Sequence, residues 1–159
     1  MEPKRNPDGV LNQLPPAKLH LLIGEITALM MVSPVHRQFQ VRDLADIILP
    51  AINLNQFRIY RNDKNEPVAL VTWGYFSKEV EQQYIGGKAV LSEAELASGD
   101  IIYLTDFIAP YGHIKQVVKD LKLNVFPNDI GHSIRFDEQG KPRKKIRTFR
   151  GVNYGKKPH

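Results

Sequence analysis

The feature that most constrains the fold of this chain is an almost continuous apolar run at residues 101–108. A run of this kind is typical of a β-strand that other elements cover on both faces. Pro110 and Gly112 break it, and apolar residues at helical spacing resume over residues 113–125. A strand, a glycine turn and a helix in succession predict an α/β domain with this strand near its centre.

The rest of the chain predicts short helices and strands around that centre. Apolar periodicity predicts a helix that begins near residue 17 and a second helix over residues 41–52 that ends weakly at Pro50. The shorter predicted elements are strands at 56–61, 67–76, 133–136 and 145–149, a helix at 77–85 and a capped helical turn at 92–97. Together they predict a single α/β domain in which helices flank a mixed, mostly antiparallel sheet.

The composition excludes several kinds of site. The 159 residues include no cysteine, which removes disulfides, thiolate zinc sites and a cysteinyl acyl intermediate. The sequence also shows no metal-binding motif. The longest apolar stretch, residues 23–35, is interrupted by Glu25, Thr27 and Ser33 and is too short for a membrane span. We therefore expect neither a metal site nor a membrane-spanning segment.

The two ends of the chain differ in character from its middle. Residues 1–16 mix Pro, Asn, Gly and both charges without an apolar signal segment, which predicts a flexible leader and a cytoplasmic protein. Residues 141–159 hold eight of the 22 Lys and Arg and no acid. These basic residues suit phosphates or an acidic protein surface, and a solvated strand face explains them equally well. We therefore expect a domain at 17–150 and a basic tail at 151–159.

His36 is the first candidate for chemistry. It follows the first predicted helix, which Pro34 ends, and a histidine there can exchange a proton near neutral pH. The charge of the adjacent Arg37 would favour the neutral imidazole, as a general base requires. Ser33 is close enough along the chain for its hydroxyl to meet the imidazole, as nucleophilic catalysis would require. Helix capping or a surface position explains these side chains without catalysis.

Asp106 is the second candidate, because it is the one charge inside the apolar run. Aspartate is seldom buried without a partner, so an acid at this place needs a cation, backbone donors or a functional reason. An acid that pairs with His36 would complete a base and its orienting group. A structural ion pair with Arg135 explains the residue nearly as well.

The turn after the central strand is the second place where chemistry is expected. It contains Pro110, Tyr111 and Gly112, and His113 begins the next helix. The backbone N–H groups at that helix start would point outward, ready for a phosphate or a carbonyl oxygen. Trp73 on the long strand would line an apolar slot, although aromatic strand residues usually belong to the core.

Several segments between residues 21 and 136 occur in an order and at a spacing that resemble a known family. They are residues 33–37, 49–52, 55–56, 67–69, Trp73, 98–100 and 106–112. The series is similar to that of the RTX toxin-activating lysine acyltransferases, also called hemolysin-activating acyltransferases. The resemblance implies a fold like that of the GNAT acetyltransferases, which agrees with the predicted order of elements.

The resemblance also implies a reaction, in which a fatty acyl group passes from acyl carrier protein to internal lysines of an RTX-type protoxin. The residues that match His36 and Asp106 are the family's catalytic pair, and Ser33 and Arg37 would support them. The donor-binding residues would be Pro110, Tyr111, Gly112, His113 and Trp73. The phosphopantetheine thioester would be a co-substrate rather than a bound cofactor, and a homodimer is compatible with the resemblance.

The chain also departs from related patterns. Phe107 replaces the Trp that is more usual after the aspartate, and the acetyl-CoA loop of GNAT enzymes is absent, which agrees with a carrier-protein donor. Two other functions remain open. One is a noncatalytic module whose basic C-terminal segment binds an acidic protein or, as a less expected partner, nucleic acid. The other is an acetyl-CoA-dependent GNAT enzyme.

Overall fold

The computed structural model describes residues 15–137, 139 and 141–156; residues 1–14 of the predicted leader and residues 157–159 of the predicted tail lie outside them. The helices are Pro16–Met31 (α1), Val41–Asp43 (α2), Leu49–Asn53 (α3), Lys78–Ile85 (α4), Glu93–Leu96 (α5) and Ile114–Asp120 (α6). A 3-10 turn covers His36–Gln38, and π-helical turns cover Leu44–Ile48 and Leu121–Val125. The predicted helices are therefore all present, and Ser92 and Glu95 form the predicted capping box.

A single sheet connects the strands in the order in which they occur along the chain. They are β1 (Phe57–Arg61), β2 (Pro67–Phe76), β3 (Ile101–Ile108), β4 (Ile130–Phe136) and β5 (Pro142–Arg150). Every neighbouring pair is antiparallel except β3 and β4, which α6 and its π turn connect as a crossover. The predicted single α/β domain with a mixed, mostly antiparallel sheet is confirmed.

Helices cover both faces of the sheet. On one face, α1 and the helical segment of residues 41–53 bury their apolar side chains against Leu70 and Ile108. The helices α4 and α5 extend that layer over Phe76 and Tyr103. On the opposite face, α6 and the turn after it pack against β2 and β3 through Val117, Leu121, Val125, Ala69, Val71, Trp73, Ile102 and Leu104. The central strand is therefore covered on both sides, as its apolar run predicted.

A β-bulge in β3 changes the direction of the side chains that follow it. Thr72 on β2 pairs with Asp106, but the next residue, Trp73, pairs with Leu104, so Thr105 is the extra residue. Leu104 faces α6, and regular alternation would point Asp106 to the same face. Because of the bulge, Asp106 and Ile108 instead face α1.

Pro50 lies inside the second helical segment, where the sequence suggested its end. The π turn at Leu44–Ile48 precedes it, and the N–H of Leu49 donates to the carbonyl of Leu44. A short α segment then begins with Pro50 in its first turn, where a missing N–H leaves no helical bond unmade. The helical backbone therefore continues to Asn53.

The backbone after β5 packs against the segment that follows α6. The N–H of Val152 donates to the carbonyl of Lys122 at 3.0 Å, and that of Asn153 donates to Pro127 at 2.8 Å. Gly151 is required at this contact, because a Cβ there would lie 2.0 Å from the carbonyl oxygen of Phe126. These bonds fix the first residues of the predicted tail beside α6. Within the part of the chain that the structure describes, no helix has the length and hydropathy needed to cross a membrane.

Candidate active site

The loop after α1 carries Ser33 and His36 into the interior. α1 ends at Met31, and the N–H of Ser33 donates to the carbonyl of Met30, which closes the last turn. The backbone then turns again, with the N–H of Arg37 donating to the carbonyl of Ser33 at 2.9 Å. This tight turn buries the Ser33 and His36 side chains, whereas the side chain of Arg37 is exposed.

Asp106 reaches His36 from the central strand. Its Oδ1 lies 3.1 Å from His36 Nε2, and the two residues are 5% and 8% exposed, respectively. The alternative pairing with Arg135 does not form, because Arg135 is exposed on β4 while Asp106 is buried on the α1 face. The structure thus brings together two residues that are 70 positions apart in the chain.

The hydrogen bonds around the imidazole assign a role to each ring nitrogen. An ionised carboxylate only accepts hydrogen bonds. Nε2 therefore carries a proton and donates a hydrogen bond to Asp106. Nδ1 is then the basic nitrogen of the neutral ring. The Oγ of Ser33 lies 3.0 Å from Nδ1 and donates to it. A nucleophile's proton would therefore be accepted at the Ser33 side of the ring.

Thr72 holds the other oxygen of the carboxylate, and the sequence analysis missed it. Its hydroxyl is fully buried and donates to Asp106 Oδ2 at 3.0 Å. Since that hydroxyl has one hydrogen, the Oγ1 of Thr105 at 2.7 Å must donate to Thr72. The sequence signal for Thr72 is a polar residue inside the apolar strand β2. The strand register then places Thr72 directly opposite Asp106.

A buried tyrosine lies within the electrostatic reach of Asp106. Burial raises the pKa of Tyr84 far above its ordinary value, and the negative charge of Asp106 raises it further. The Tyr84 ring on α4 meets the rings of Phe76 and Tyr103 edge-on, and those two rings stack on each other. Tyr84 therefore stays neutral and does not compete with His36 as a base.

Trp73 lies apart from the His36–Asp106 pair. Its ring is 1% exposed on the α6 face of the sheet, where it meets the Phe126 ring edge-on with a centroid distance of 5.3 Å. Its indole N–H is buried and has no hydrogen-bond partner among the residues that the structure describes. Trp73 is thus a core residue in this conformation, and an apolar slot would need a rearrangement to expose it.

The four predicted donor-binding residues of the turn follow the central strand directly. Tyr111 is 59% exposed, and Gly112 has a positive φ of 88°, a conformation that favours glycine. His113 precedes the first residue of α6, and its buried Nδ1 has no partner within the described part of the chain. The residues described by the structure contain no grouping of His, Asp and Glu that would hold a metal ion.

Comparison with known proteins identifies similar chains. Residues 16–150 match the RTX toxin acyltransferase family, HlyC. An uncharacterized protein of Synechocystis sp. is 41% identical over 129 residues, which cover 80% of this chain and 88% of that protein. The lysine-acyltransferase RtxC of Vibrio cholerae is 36% identical over 110 residues, covering 69% and 72%. The leukotoxin-activating lysine-acyltransferase LktC serotype A11 of Mannheimia haemolytica is 35% identical over 136 residues, covering 86% and 80%.

Proposed function

The chain belongs to the RTX toxin acyltransferase family, and from this membership we propose that it transfers a fatty acyl group from acyl carrier protein to lysine ε-amino groups of an RTX-type protoxin. The observation that carries the proposal is the buried hydrogen-bonded series of Ser33, His36, Asp106 and Thr72. Acyl carrier protein as the donor would place the reaction in the cytoplasm.

His36 would act as the general base. The ε-amino group of lysine is an ammonium ion at neutral pH, and it must lose a proton before it can attack a thioester. Nδ1 of His36 accepts that proton, and the carboxylate of Asp106 stabilises the imidazolium that forms. Thr72 keeps the carboxylate oriented, since it donates to the oxygen that His36 does not use.

The acyl transfer itself forms one bond and breaks one bond. The neutral amine attacks the thioester carbonyl, a tetrahedral intermediate forms, and its collapse makes the amide and releases the carrier's phosphopantetheine thiol. The nitrogen of the tetrahedral intermediate gives its extra proton to the leaving thiolate, and His36 releases the proton of the ammonium ion to solvent, which returns the base to its neutral form. Backbone N–H groups between Tyr111 and Ile114 would polarise the carbonyl oxygen.

The pairing of β3 supports a donor arm at this place. β3 pairs with β4 only from Ile102 to Leu104, whereas its pairing with β2 continues to Ile108. The β4 ladder therefore stops just before the bulge at Thr105. The extended phosphopantetheine arm would lie beside the second half of β3 and bring its thioester to His36.

Ser33 offers a different route through the same residues. Its hydroxyl, the imidazole and Asp106 are arranged as a nucleophile, a base and an orienting acid. An acyl-Ser33 intermediate would follow if the hydroxyl attacked the thioester first. Direct aminolysis is the simpler route, because a thioester reacts with an amine without a covalent enzyme intermediate.

The test is transfer from a defined donor to a defined acceptor. The wild-type chain, palmitoyl-acyl carrier protein and an RTX protoxin encoded beside its gene are incubated together, and mass spectrometry locates acylated lysines. We expect lysine acylation by the wild type and its loss in His36→Ala, while His20→Ala, an exposed histidine of α1, remains active. Full activity of His36→Ala would refute the role of His36 as the general base. Transfer from acetyl-CoA alone would indicate a different class of acyl donor.

A further inference from the structure

A shallow apolar groove runs along the outer side of α6. It encloses about 510 Å³ and lies between the helix and the residues after β5. Ile114 and Val118 form one wall, and Val152 forms part of the other. The rim consists of Lys115, Lys119 and Lys122. The groove is separate from the buried His36 site, which lies across the sheet.

The apolar side chains of the groove are unusually accessible. Ile114 is 53% exposed and Val152 is 40% exposed, although α6 buries Val117 and Leu121 against the sheet. Ile114, Val118, Leu123 and Val152 line the groove together, so an apolar side chain of a partner would contact several of them at once. The hydrogen bond from Val152 to Lys122 fixes the two walls relative to each other. The groove is therefore a built feature of the folded chain.

The rim of the groove carries the positive charges of three lysine side chains. Among the residues that the structure describes, no carboxylate forms an ion pair with Lys115, Lys119 or Lys122. The nearest acid along the helix, Asp120, instead pairs with Arg58 and accepts a hydrogen bond from Tyr60. An apolar floor with an unpaired lysine rim is complementary to an apolar surface edged by carboxylates.

We propose that this groove docks an acidic, amphipathic helix on the surface of a partner protein. A groove parallel to a helix accepts a second helix whose apolar residues recur every three or four positions. Asp and Glu beside those residues would meet the lysine rim. On the basis of the proposed function, the partner is the carrier protein that delivers the acyl thioester.

The position of the groove favours the donor over the acceptor protein. α6 begins immediately after the turn of residues 110–113, so a protein seated on α6 lies next to the end of β3. The parallel ladder stops at Leu104, which leaves the second half of β3 free of β4. An arm can therefore cross from the α6 side to Asp106 on the α1 face. The acceptor lysine would approach His36 from the α1 side.

The experiment reverses the charge of the rim. In the full chain, Lys115, Lys119 and Lys122 are changed together to Glu, and a control changes Lys18, Lys64 and Lys78, three exposed lysines elsewhere, in the same way. Binding of palmitoyl-acyl carrier protein is measured by isothermal titration calorimetry. We expect the rim variant to weaken binding and raise the KM for this donor by about tenfold or more, and the control to change neither.

A second donor separates docking from chemistry. Palmitoyl-pantetheine has the same thioester without the carrier protein, so the rim variant should use it as well as the wild type does. Val152→Ser should also weaken carrier binding, since it removes apolar contact without altering charge. Equal carrier affinity in wild type and rim variant would overturn the docking inference, as would binding of wild type only to phosphatidylglycerol vesicles. Failure of the wild type to acylate from either donor would instead overturn the proposed function.

Discussion

The two faces of the sheet differ at the C-terminal half of β3. On the α1 face, Ser33, His36, Thr72 and Asp106 are all buried and each has a hydrogen-bond partner. On the α6 face, the outer surface of the helix exposes apolar side chains and lysines that pair with no carboxylate in the described part of the chain. A closed polar network holds reacting groups in place, whereas an open charged groove suits binding and release.

This difference predicts that substitutions on the two faces will have different kinetic effects. Changes on the α1 face should lower kcat, because the buried residues there act on the proton or on the base that receives it. Changes on the outer side of α6 should raise KM for the donor and leave the chemical step unchanged. The following substitutions test the α1 side of that division, from the largest expected effect to the smallest.

Asp106→Asn should have the largest effect. The amide retains the shape of the carboxylate but lacks the charge that stabilises the imidazolium of His36. We expect kcat for lysine acylation to fall by about 10²- to 10⁴-fold, the range over which a positioned acid-base group contributes. Acyl carrier protein binding, measured by calorimetry, should be unchanged. A variant that retained near wild-type kcat would contradict the assignment of Asp106 to the chemistry.

Thr72→Val should come next. The substitution keeps the branched shape but leaves Asp106 Oδ2 without its donor, and an unsatisfied buried acceptor costs about 1–3 kcal/mol. We expect kcat to fall by about tenfold to a hundredfold with little change in KM, together with a lower free energy of unfolding in urea. Thr72→Ser, which restores the hydroxyl, should recover most of the kcat.

Thr105→Val is the matched control for that substitution. It removes the hydroxyl that donates to Thr72 but leaves the bond from Thr72 to Asp106 in place. Its effect on kcat should be smaller than that of Thr72→Val. Equal losses in the two variants would mean that the bulge, and not the hydrogen bond to the carboxylate, positions Asp106.

Local patterns were sufficient to predict much of the fold. The apolar run at 101–108 and the Ser92 capping box each depend on neighbouring residues, and the structure contains the corresponding strand and capped turn. The candidates His36 and Asp106 were also recognisable, one beside a helix-ending proline and one as a lone charge in a strand. Their partnership required the family resemblance, since the residues are far apart in sequence.

Features that depend on strand register were not predictable from local patterns. The bulge at Thr105 is defined only against β2, and it decides that Asp106 faces α1. Thr72 becomes a partner of Asp106 through that same register. Trp73 could belong to either face by pattern alone, and packing with Phe126 buries it on the α6 side. Pro50 likewise stays within its helix because a preceding π turn accommodates it.

Ser33→Ala distinguishes the two routes of acyl transfer. If the lysine amine gives its proton directly to Nδ1, the variant loses one hydrogen bond to the base, and kcat should fall by about tenfold at most. Acylation is followed with palmitoyl-acyl carrier protein and protoxin, and intact-mass spectrometry tests for acylated enzyme. Abolished transfer, with acyl-enzyme detected only in the wild type, would establish the Ser33 intermediate instead.

The smallest expected effect concerns pH and His132, which lies on β4 at the short ladder with β3. Its ring contacts Tyr103 at a centroid distance of 5.2 Å, and desolvation lowers its pKa below the ordinary value of 6.5, although the charge of Glu81 acts in the opposite direction. The folded chain therefore binds this proton less readily than the unfolded chain. The associated stability is present above pH 6.5 and is lost as the pH falls through the lower, folded-state pKa.

Urea unfolding at pH 7.5 and 5.5 should show a smaller loss of stability on acidification in His132→Gln than in the wild type. An identical loss in both chains would show that acid sensitivity arises elsewhere, with the buried network around Asp106 as the next group to test.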